Sequence, residues 1–291
     1  DYVDYIRSTV DGDFSNLKIA LDCANGASFE CAKLLFDSLG AKAEYICNTP
    51  DGCNINDGCG STHTQKLSEY VKNGGFDLGL AFDGDADRLL AVDENGTLVD
   101  GDKIMAICAL ELRKQGKLKK DTVVATVMSN LGFFNALKAN GIKYEQTTVG
   151  DRYVLENMLA NGYCIGGEQS GHIIFLDYNT TGDGLMTAVR LTCALRDSGK
   201  KMSDLASVVE ILPQVLVNAR IKNENKNTYM ENKEIADAIR KIEEKFAGNG
   251  RVLIRPSGTE PLVRVMLEGK DKNEIKEEAT ALAKMIEERL G

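Results

Sequence analysis

Apolar and polar positions alternate along the chain in blocks that change period. "LKIAL" (17–21) is a short apolar run bounded by polar residues and predicts a buried strand. "CANGAS" follows as a glycine-containing turn. "FECAKLLFDSLG" then carries apolar residues at helical spacing and stops at Gly40. "KAEYIC" predicts a second strand. A long polar stretch, "NTPDGCNINDGCGSTH", leads to Thr64 as the expected cap of the helix "QKLSEYVKNGG". "FDLGLAF" predicts another buried strand, and "LLAVDENGTLV" a hairpin turning at "ENG". Asp102 is the expected cap of a helix running to about Gln115.

The rhythm then repeats. "TVVATVM" predicts a strand, "SNLG" a turn, "FFNALKANG" a helix and "IKYEQTTV" a strand. "GDRYVLENMLANG" predicts a helix, "YCIGG" and "HIIFL" strands, and Asp183 caps "GLMTAVRLTCALRDSG". Both halves share strand, Asn-containing glycine turn, helix, glycine and strand, so the pattern reads as an internally duplicated α/β module. The tail differs: strand, helix, strand, the loop "PSGTE", strand and a Glu/Lys-rich helix form a small α+β domain. The expected fold class is therefore α/β, two consecutive modules over 1–101 and 102–212, followed by the α+β domain over 213–291.

Composition narrows the class without changing the fold. The hydrophobic share is 43%, the charged share 27% and the formal net charge −9, which is ordinary for a globular protein and argues against nucleic acid or an anionic membrane as partner. No signal peptide or membrane-length apolar run is present, so a cytoplasmic location is expected. The eight cysteines include no C-x-x-C pair and read as reduced thiols, with Cys53 and Cys59 across "CNINDGC" as the candidate disulfide or zinc pair. The first residue is Asp1, and helical spacing at Tyr2, Ile6 and Val10 begins at once. The expectation is a C-terminal fragment of a longer protein.

Three loops carry candidate chemistry. In "FDGDADR", Asp83, Asp85 and Asp87 follow an apolar strand. Two carboxylates about 4 Å apart repel by roughly 4 kcal/mol at a protein-like dielectric, so the loop calls for solvent, a shared proton or a cation. Three oxygen ligands suit a hard ion such as Mg²⁺. An EF-hand would also use Glu94, but Arg88 stands where its turn needs glycine. A phosphatase of the haloacid-dehalogenase type, with Asp83 as nucleophile, would want Thr or Val where Asp87 stands. "GGEQSGH" offers Glu168, Ser170 and His172 to sugar hydroxyls or an amine. "RPSGTEP" offers Ser257 and Thr259 hydroxyls, backbone N–H groups at Gly258, and the forked donors Arg255 and Arg264 to a phosphate. "VGDRYV" places Asp151 and Arg152 at a helix start, where Asp151 either caps the helix or faces a ligand.

In this order, "DGDADR", "GGEQSGH" and "RPSGTEP" resemble the α-D-phosphohexomutase superfamily over essentially the whole chain. "NINDGCGSTH", "VMSN", "VGDRYV" and "NTTGDG" resemble its glucosamine-phosphate branch, and so does Gln169, where hexose-handling relatives usually carry Met. The resemblance implies α/β/α modules with mixed sheets and a small C-terminal domain. It implies Mg²⁺ on Asp83, Asp85 and Asp87, with Arg88 beside the reacting phosphoryl group and Asp151 and Arg152 near the acid/base chemistry. Glu168 and Ser170 would grip the sugar, His172 would support that loop, and Arg255, Ser257, Gly258, Thr259 and Arg264 would hold the non-reacting phosphate. The partner is a small-molecule phosphosugar, and a homodimer is left open. The implied reaction interconverts glucosamine 6-phosphate and glucosamine 1-phosphate through a bisphosphorylated sugar, for amino-sugar nucleotide and cell-wall precursor synthesis; a hexose-phosphate mutase is the alternative. Family members carry a phosphoserine on a Thr-Ala-Ser-His-Asn-Pro-like loop, and no such loop occurs here. The expectation is a chain inactive alone, with weak Mg²⁺ binding.

Overall fold

A computed structural model describes residues 1–226 and 228–291. They form two compact units, one of residues 1–129 and 133–210, the other of 130–132 and 211–291. In chain order the elements are α1 (Tyr2–Ser8), β1 (Lys18–Asp22), α2 (Ser28–Ser38), β2 (Lys42–Ile46), α3 (Gln65–Gly74), β3 (Leu78–Phe82), β4 (Leu89–Asp93), β5 (Leu98–Val99) and α4 (Gly101–Lys114). The second module adds β6 (Thr122–Thr126), α5 (Leu131–Ala139), β7 (Lys143–Thr147), α6 (Asp151–Asn161), β8 (Ile165–Gly167), β9 (Ile173–Phe175), α7 (Gly184–Ser198) and α8 (Met202–Ala206). The tail contributes β10 (Gln214–Arg220), α9 (Lys233–Phe246), β11 (Gly250–Pro256), β12 (Leu262–Gly269) and α10 (Lys272–Leu290).

The first sheet runs β2-β1-β3-β4-β5 and the second β7-β6-β8-β9. In each, the first three strands are parallel and the fourth is antiparallel to its neighbour. The expected duplication is thus present in the pairing itself. The central strands β3 and β6 are buried along their whole length, which fits the apolar run of β3 and the Val-Val-Ala centre of β6. One continuous core runs from Ile6 and Phe36 through Phe82, Ile104 and Phe133 to Leu191. Helices α4 and α7 pack against each other within it, so the two modules share their apolar interior and form one unit.

The smaller unit has an antiparallel sheet, β10-β12-β11. Helix α9 presents Ile235, Ile239, Ile242 and Phe246 to it at helical spacing, and α10 presents Ile275, Ala279, Leu282 and Ile286. Among the described residues its one fully buried carboxylate is Glu268, which accepts from Arg251 Nε (2.6 Å), the Leu131 N–H (3.0 Å) and Gln214 Nε2 (3.2 Å). Buried charge is tolerated when paired in this way.

Three candidate helix caps are corrected. Asp100, not Asp102, caps α4 by accepting the Lys103 N–H at 3.1 Å; Asp102 lies buried inside the first turn. Thr64 precedes α3 without a side-chain capping bond, and Gly150 rather than Asp151 is the N-cap of α6. Cys53 and Cys59 do not pair: all eight cysteines are free, Cys53 is exposed and Cys59 is buried. The five-residue α8 is too short to show a periodic signature in sequence.

Removing the Glu268 carboxylate takes away the shared acceptor of the half-buried Arg251, the Leu131 N–H and Gln214. Glu268→Ala is expected to destabilise the smaller unit by about 3–5 kcal/mol, read as a lowered urea midpoint. A loss within about 0.5 kcal/mol, the range of ordinary surface substitutions, would contradict this account.

Candidate active-site loops

The aspartate loop begins where β3 ends. Its backbone is gripped from both modules. The Ala27 N–H donates to the Gly84 carbonyl at 2.8 Å, the Gly184 N–H to Ala86 O at 2.9 Å, and the Leu89 N–H to Gly171 O at 3.1 Å. Gly26 is required for this approach, since a Cβ there would lie 2.4 Å from Gly84 O. Ala86 adopts a positive φ of 60° at the tip, a region non-glycine residues enter only when their surroundings hold them.

Asp83 and Asp87 are half-buried; Asp85 is exposed. Burial, and then the Asp87 carboxylate, push the Asp83 carboxyl up to about 6. The Arg88 N–H donating to Asp83 Oδ1 at 3.1 Å opposes that rise. Asp83 therefore keeps its proton to a higher pH than an ordinary carboxyl does. Arg88 Nε lies 4.0 Å from Asp87 Oδ1. Asp85 is not drawn into one ligand set with the pair: among the described residues, the group of three whose ligand atoms all lie within 4.8 Å of one another is Asp22, Cys47 and Cys59. The donors of the loop are nonetheless all hard carboxylate oxygens with unbalanced negative charge, which fits Mg²⁺. Glu94, the twelfth position of the rejected EF-hand, accepts the Ser203 N–H at 3.1 Å instead.

His172 is 4% exposed. Its Nε2 accepts the Gly182 N–H at 3.0 Å, so Nε2 carries no proton and Nδ1 does. Nδ1 lies 3.0 Å from Asp87 Oδ2 and donates to it. Sequence reasoning assigned His172 to the sugar loop; the structure ties it to the aspartate loop 85 residues earlier. Gly182, which was not singled out as a site residue, is needed because a Cβ there would meet the imidazole at 2.5 Å. The "NTTGDG" motif was the available signal. Asp151 Oδ2 stands 3.7 Å from Nε2.

The second loop sits between β8 and β9. Glu168 Oε1 accepts the Gly150 N–H at 3.3 Å, and Ser170 Oγ lies 3.5 Å from Glu168 Oε2. Gln169 Nε2 reaches Asp100 Oδ2 at 3.4 Å, and Gln169 O accepts the Gly101 N–H at 3.0 Å. Arg152 is exposed and turned onto Glu156, 2.7 Å away. The structure thus brings Asp83, Asp87, His172 and Asp151 together, while Arg152 stands in a salt bridge of its own.

In the smaller unit, Arg255 and Arg264 are directly opposed across β11 and β12. Burial, and then the neighbouring Arg264 charge, hold Arg255 below the usual guanidinium range. Ser257 is buried, and its Oγ accepts the Glu260 N–H at 3.2 Å. Arg264 Nη2 lies 3.4 Å from Glu260 Oε2. A Cβ on Gly258 would meet nothing within 4 Å, leaving the loop's backbone open. Two juxtaposed guanidiniums over an open glycine turn suit an anion.

The family models for phosphoglucomutase/phosphomannomutase match here in series: alpha/beta/alpha domain II over 1–96, alpha/beta/alpha domain III over 100–211, and the C-terminal domain over 216–285. The chain belongs to this phosphohexomutase family. It is 60% identical over 291 residues to a phosphoglucosamine mutase of Acetivibrio thermocellus, and 59% identical over 290 residues to one of Clostridioides difficile. All of the chain aligns in both cases, and it spans 65% of each relative's length. A crystal structure of Aspergillus fumigatus N-acetylphosphoglucosamine mutase in complex with GlcNAc-6P and magnesium shares the fold, with a TM-score of 0.78 at 19% identity over 99% of this chain and 64% of that one. A Burkholderia thailandensis phosphoglucomutase/phosphomannomutase family protein does so at 0.76 and 22% over 100% and 65%.

Two predictions follow from the loop. The folded Asp83 carboxyl titrates near 6, above its ordinary 3.8. A proton bound more tightly when folded stabilises fully below the lower value and is lost as pH rises through the higher one. In chelator, Asp83→Asn should therefore gain melting temperature relative to the wild type between about pH 4 and 6 and hold that gain above it. Added Mg²⁺ should raise the wild type alone. A pH-independent difference would refute the raised Asp83 titration. Separately, His172→Ala should weaken Mg²⁺ binding about 10–100-fold by releasing Asp87, measured by calorimetry. Unchanged affinity would leave His172 a packing residue only.

Proposed function

We propose that the chain carries the metal, sugar and phosphate loops of a phosphoglucosamine mutase, an isomerase that interconverts glucosamine 6-phosphate and glucosamine 1-phosphate through a bisphosphorylated sugar. What carries the reading is the whole-chain identity of about 60% to phosphoglucosamine mutases together with the ordered loops at 83–88, 168–172 and 255–264. Asp83, Asp85 and Asp87 would hold Mg²⁺, which when bound offsets negative charge on a transferring phosphoryl group. Arg88 stands beside that loop as a forked donor. Glu168 and Ser170 orient the sugar hydroxyls and amine, and His172 keeps Asp87 in place. Arg255, Arg264, Ser257, Thr259 and the Gly258 backbone hold the phosphate that does not react. Asp151, close to the His172 ring, is the candidate for moving the hydroxyl proton. The sequence holds no Thr-Ala-Ser-His-Asn-Pro-like loop, so the phosphoryl donor is assigned to residues outside it, and the chain alone should bind without turning over.

Calorimetric titration with glucosamine 6-phosphate tests this. Binding is expected, weakened about tenfold or more by Arg264→Ala, which corresponds to about 1.4 kcal/mol, and a coupled mutase assay of the chain alone should stay at background. Full turnover by the chain alone would refute the placement of the donor. A phosphoaspartate trapped on Asp83 and lost in Asp83→Asn would replace the mutase reading by a phosphatase.

A further inference from the structure

Away from the loops above, the first module gathers Asp22, Cys47 and Cys59 with ligand atoms all within 4.8 Å of one another. Asp22 ends β1, Cys47 follows β2, and Cys59 lies in the polar stretch before α3. Lys66, in the first turn of α3, places Nζ 3.2 Å from Cys47 Sγ. Cys59 is 1% exposed and Cys47 half-buried. Cys47 has a φ of 49°, so its surroundings hold it in a conformation that a non-glycine residue does not choose freely.

The cluster has the donors of a soft-metal site, yet its arrangement disfavours one. Both Asp22 oxygens already accept backbone N–H groups, from Ala24 and Gly60, each at 2.9 Å. The Lys66 ammonium faces the Cys47 sulfur, where a dication would have to displace it, and a tetrahedral zinc would need a fourth ligand as well. The same features favour thiol chemistry. One sulfur is reachable, a cation beside it stabilises the thiolate, and a second sulfur waits behind it.

We propose that Cys47 and Cys59 are a peroxide-sensitive dithiol that closes reversibly to a disulfide. The Cys47 thiolate attacks one oxygen of hydrogen peroxide; an S–O bond forms, the O–O bond breaks, and the departing hydroxide takes up a proton as water. The Cys59 sulfur then attacks the sulfenic sulfur of Cys47. The S–S bond forms, the S–O bond breaks, and hydroxide leaves with the Cys59 proton as a second water. Two thiols lose two electrons and peroxide gains them. The bond would tie down the strap that follows Cys59, in which Ser61 donates its N–H to the Phe82 carbonyl at 2.8 Å, one residue before Asp83. The proposal is independent of the mutase reading.

The test is mass spectrometry of the whole chain after peroxide, with alkylation in denaturant. Free thiols should fall from the eight of the sequence by two, and dithiothreitol should restore them. Cleavage before Asp51 and Asp57 puts Cys47, Cys53 and Cys59 on separate peptides, and the link should join 37–50 to 57–76. Cys47→Ser should abolish the link and Cys53→Ser should leave it. Lys66→Met should slow its formation about tenfold by removing the cation beside the thiolate. Linkage through Cys53, over-oxidation of Cys47 without a link, or stoichiometric zinc that co-purifies and blocks alkylation of the pair would each overturn the proposal.

Discussion

Gly182 donates its N–H to Nε2 of His172, and that one bond decides what the opposite nitrogen does. An imidazole that accepts on one side must donate on the other if it is neutral. Nδ1 therefore donates to Asp87, and Asp87 is left facing Asp83 with its charge unbalanced. The arrangement depends on Gly182 having no side chain, since the ring occupies the space a Cβ would fill. It also depends on the two modules sharing a core, because His172 and Asp87 come from different sheets. The carboxylates of the first module are thus aimed by a residue of the second. Backbone bonds from Gly171 and Gly184 fix the same loop from the same side.

Much of this was legible from local pattern. Buried strands announced themselves as apolar runs, and Asp83, Asp85 and Asp87 stood out because three carboxylates after such a run need neutralising. The loop at 255–264 stood out because hydroxyls, glycine and arginines cluster within ten residues, and Arg255 and Arg264 do face each other across β11 and β12. What escaped has a common cause. The His172 partner is 85 residues away in sequence, and its tautomer is set by a backbone amide, which has no identity in a sequence. The cysteines were read as free thiols and are free, but only Cys53 was weighed as a companion for Cys59; the fold brings the end of β2 beside it, so Cys47 is its neighbour. Asp100 and Asp102 are both plausible caps two residues apart; packing of the first turn of α4 buries one and leaves the other as acceptor. Asp85 differs from its two neighbours because the chain reverses beside it, where Ala86 has a φ of 60°; Asp85 is exposed at that tip while Asp83 and Asp87 are half-buried.

The charge balance of the chain has the same local character. A net charge of −9 repels an anionic ligand at long range, but screening confines that effect to about 10 Å at 0.1 M salt. Binding a phosphate then rests on what lies within hydrogen-bond reach. Arg255 and Arg264 are directly opposed in register, and their mutual repulsion is a cost the fold carries without a ligand. An anion between such neighbours relieves it, just as a cation would relieve Asp83 and Asp87. Each unit keeps a small like-charged cluster of opposite sign, the pattern expected where binding energy is held ready in the protein rather than assembled on contact.

The duplicated topology explains where the first two loops lie. In the first module the parallel strand β3 leads into the aspartate loop and the antiparallel β4; in the second, β8 leads into the Glu168 loop and the antiparallel β9. Asp83 and Glu168 therefore occupy the same place in the repeat, the first position beyond the carboxyl end of an inner strand, where open α/β sheets place their ligands. The two loops also meet, through Leu89 N–H to Gly171 O. The same turn has diverged in opposite chemical directions: one copy collected carboxylates, the other a mixture of carboxylate, amide, hydroxyl and imidazole. The backbone contact between them holds the two loops together, so that the imidazole of the second reaches a carboxylate of the first.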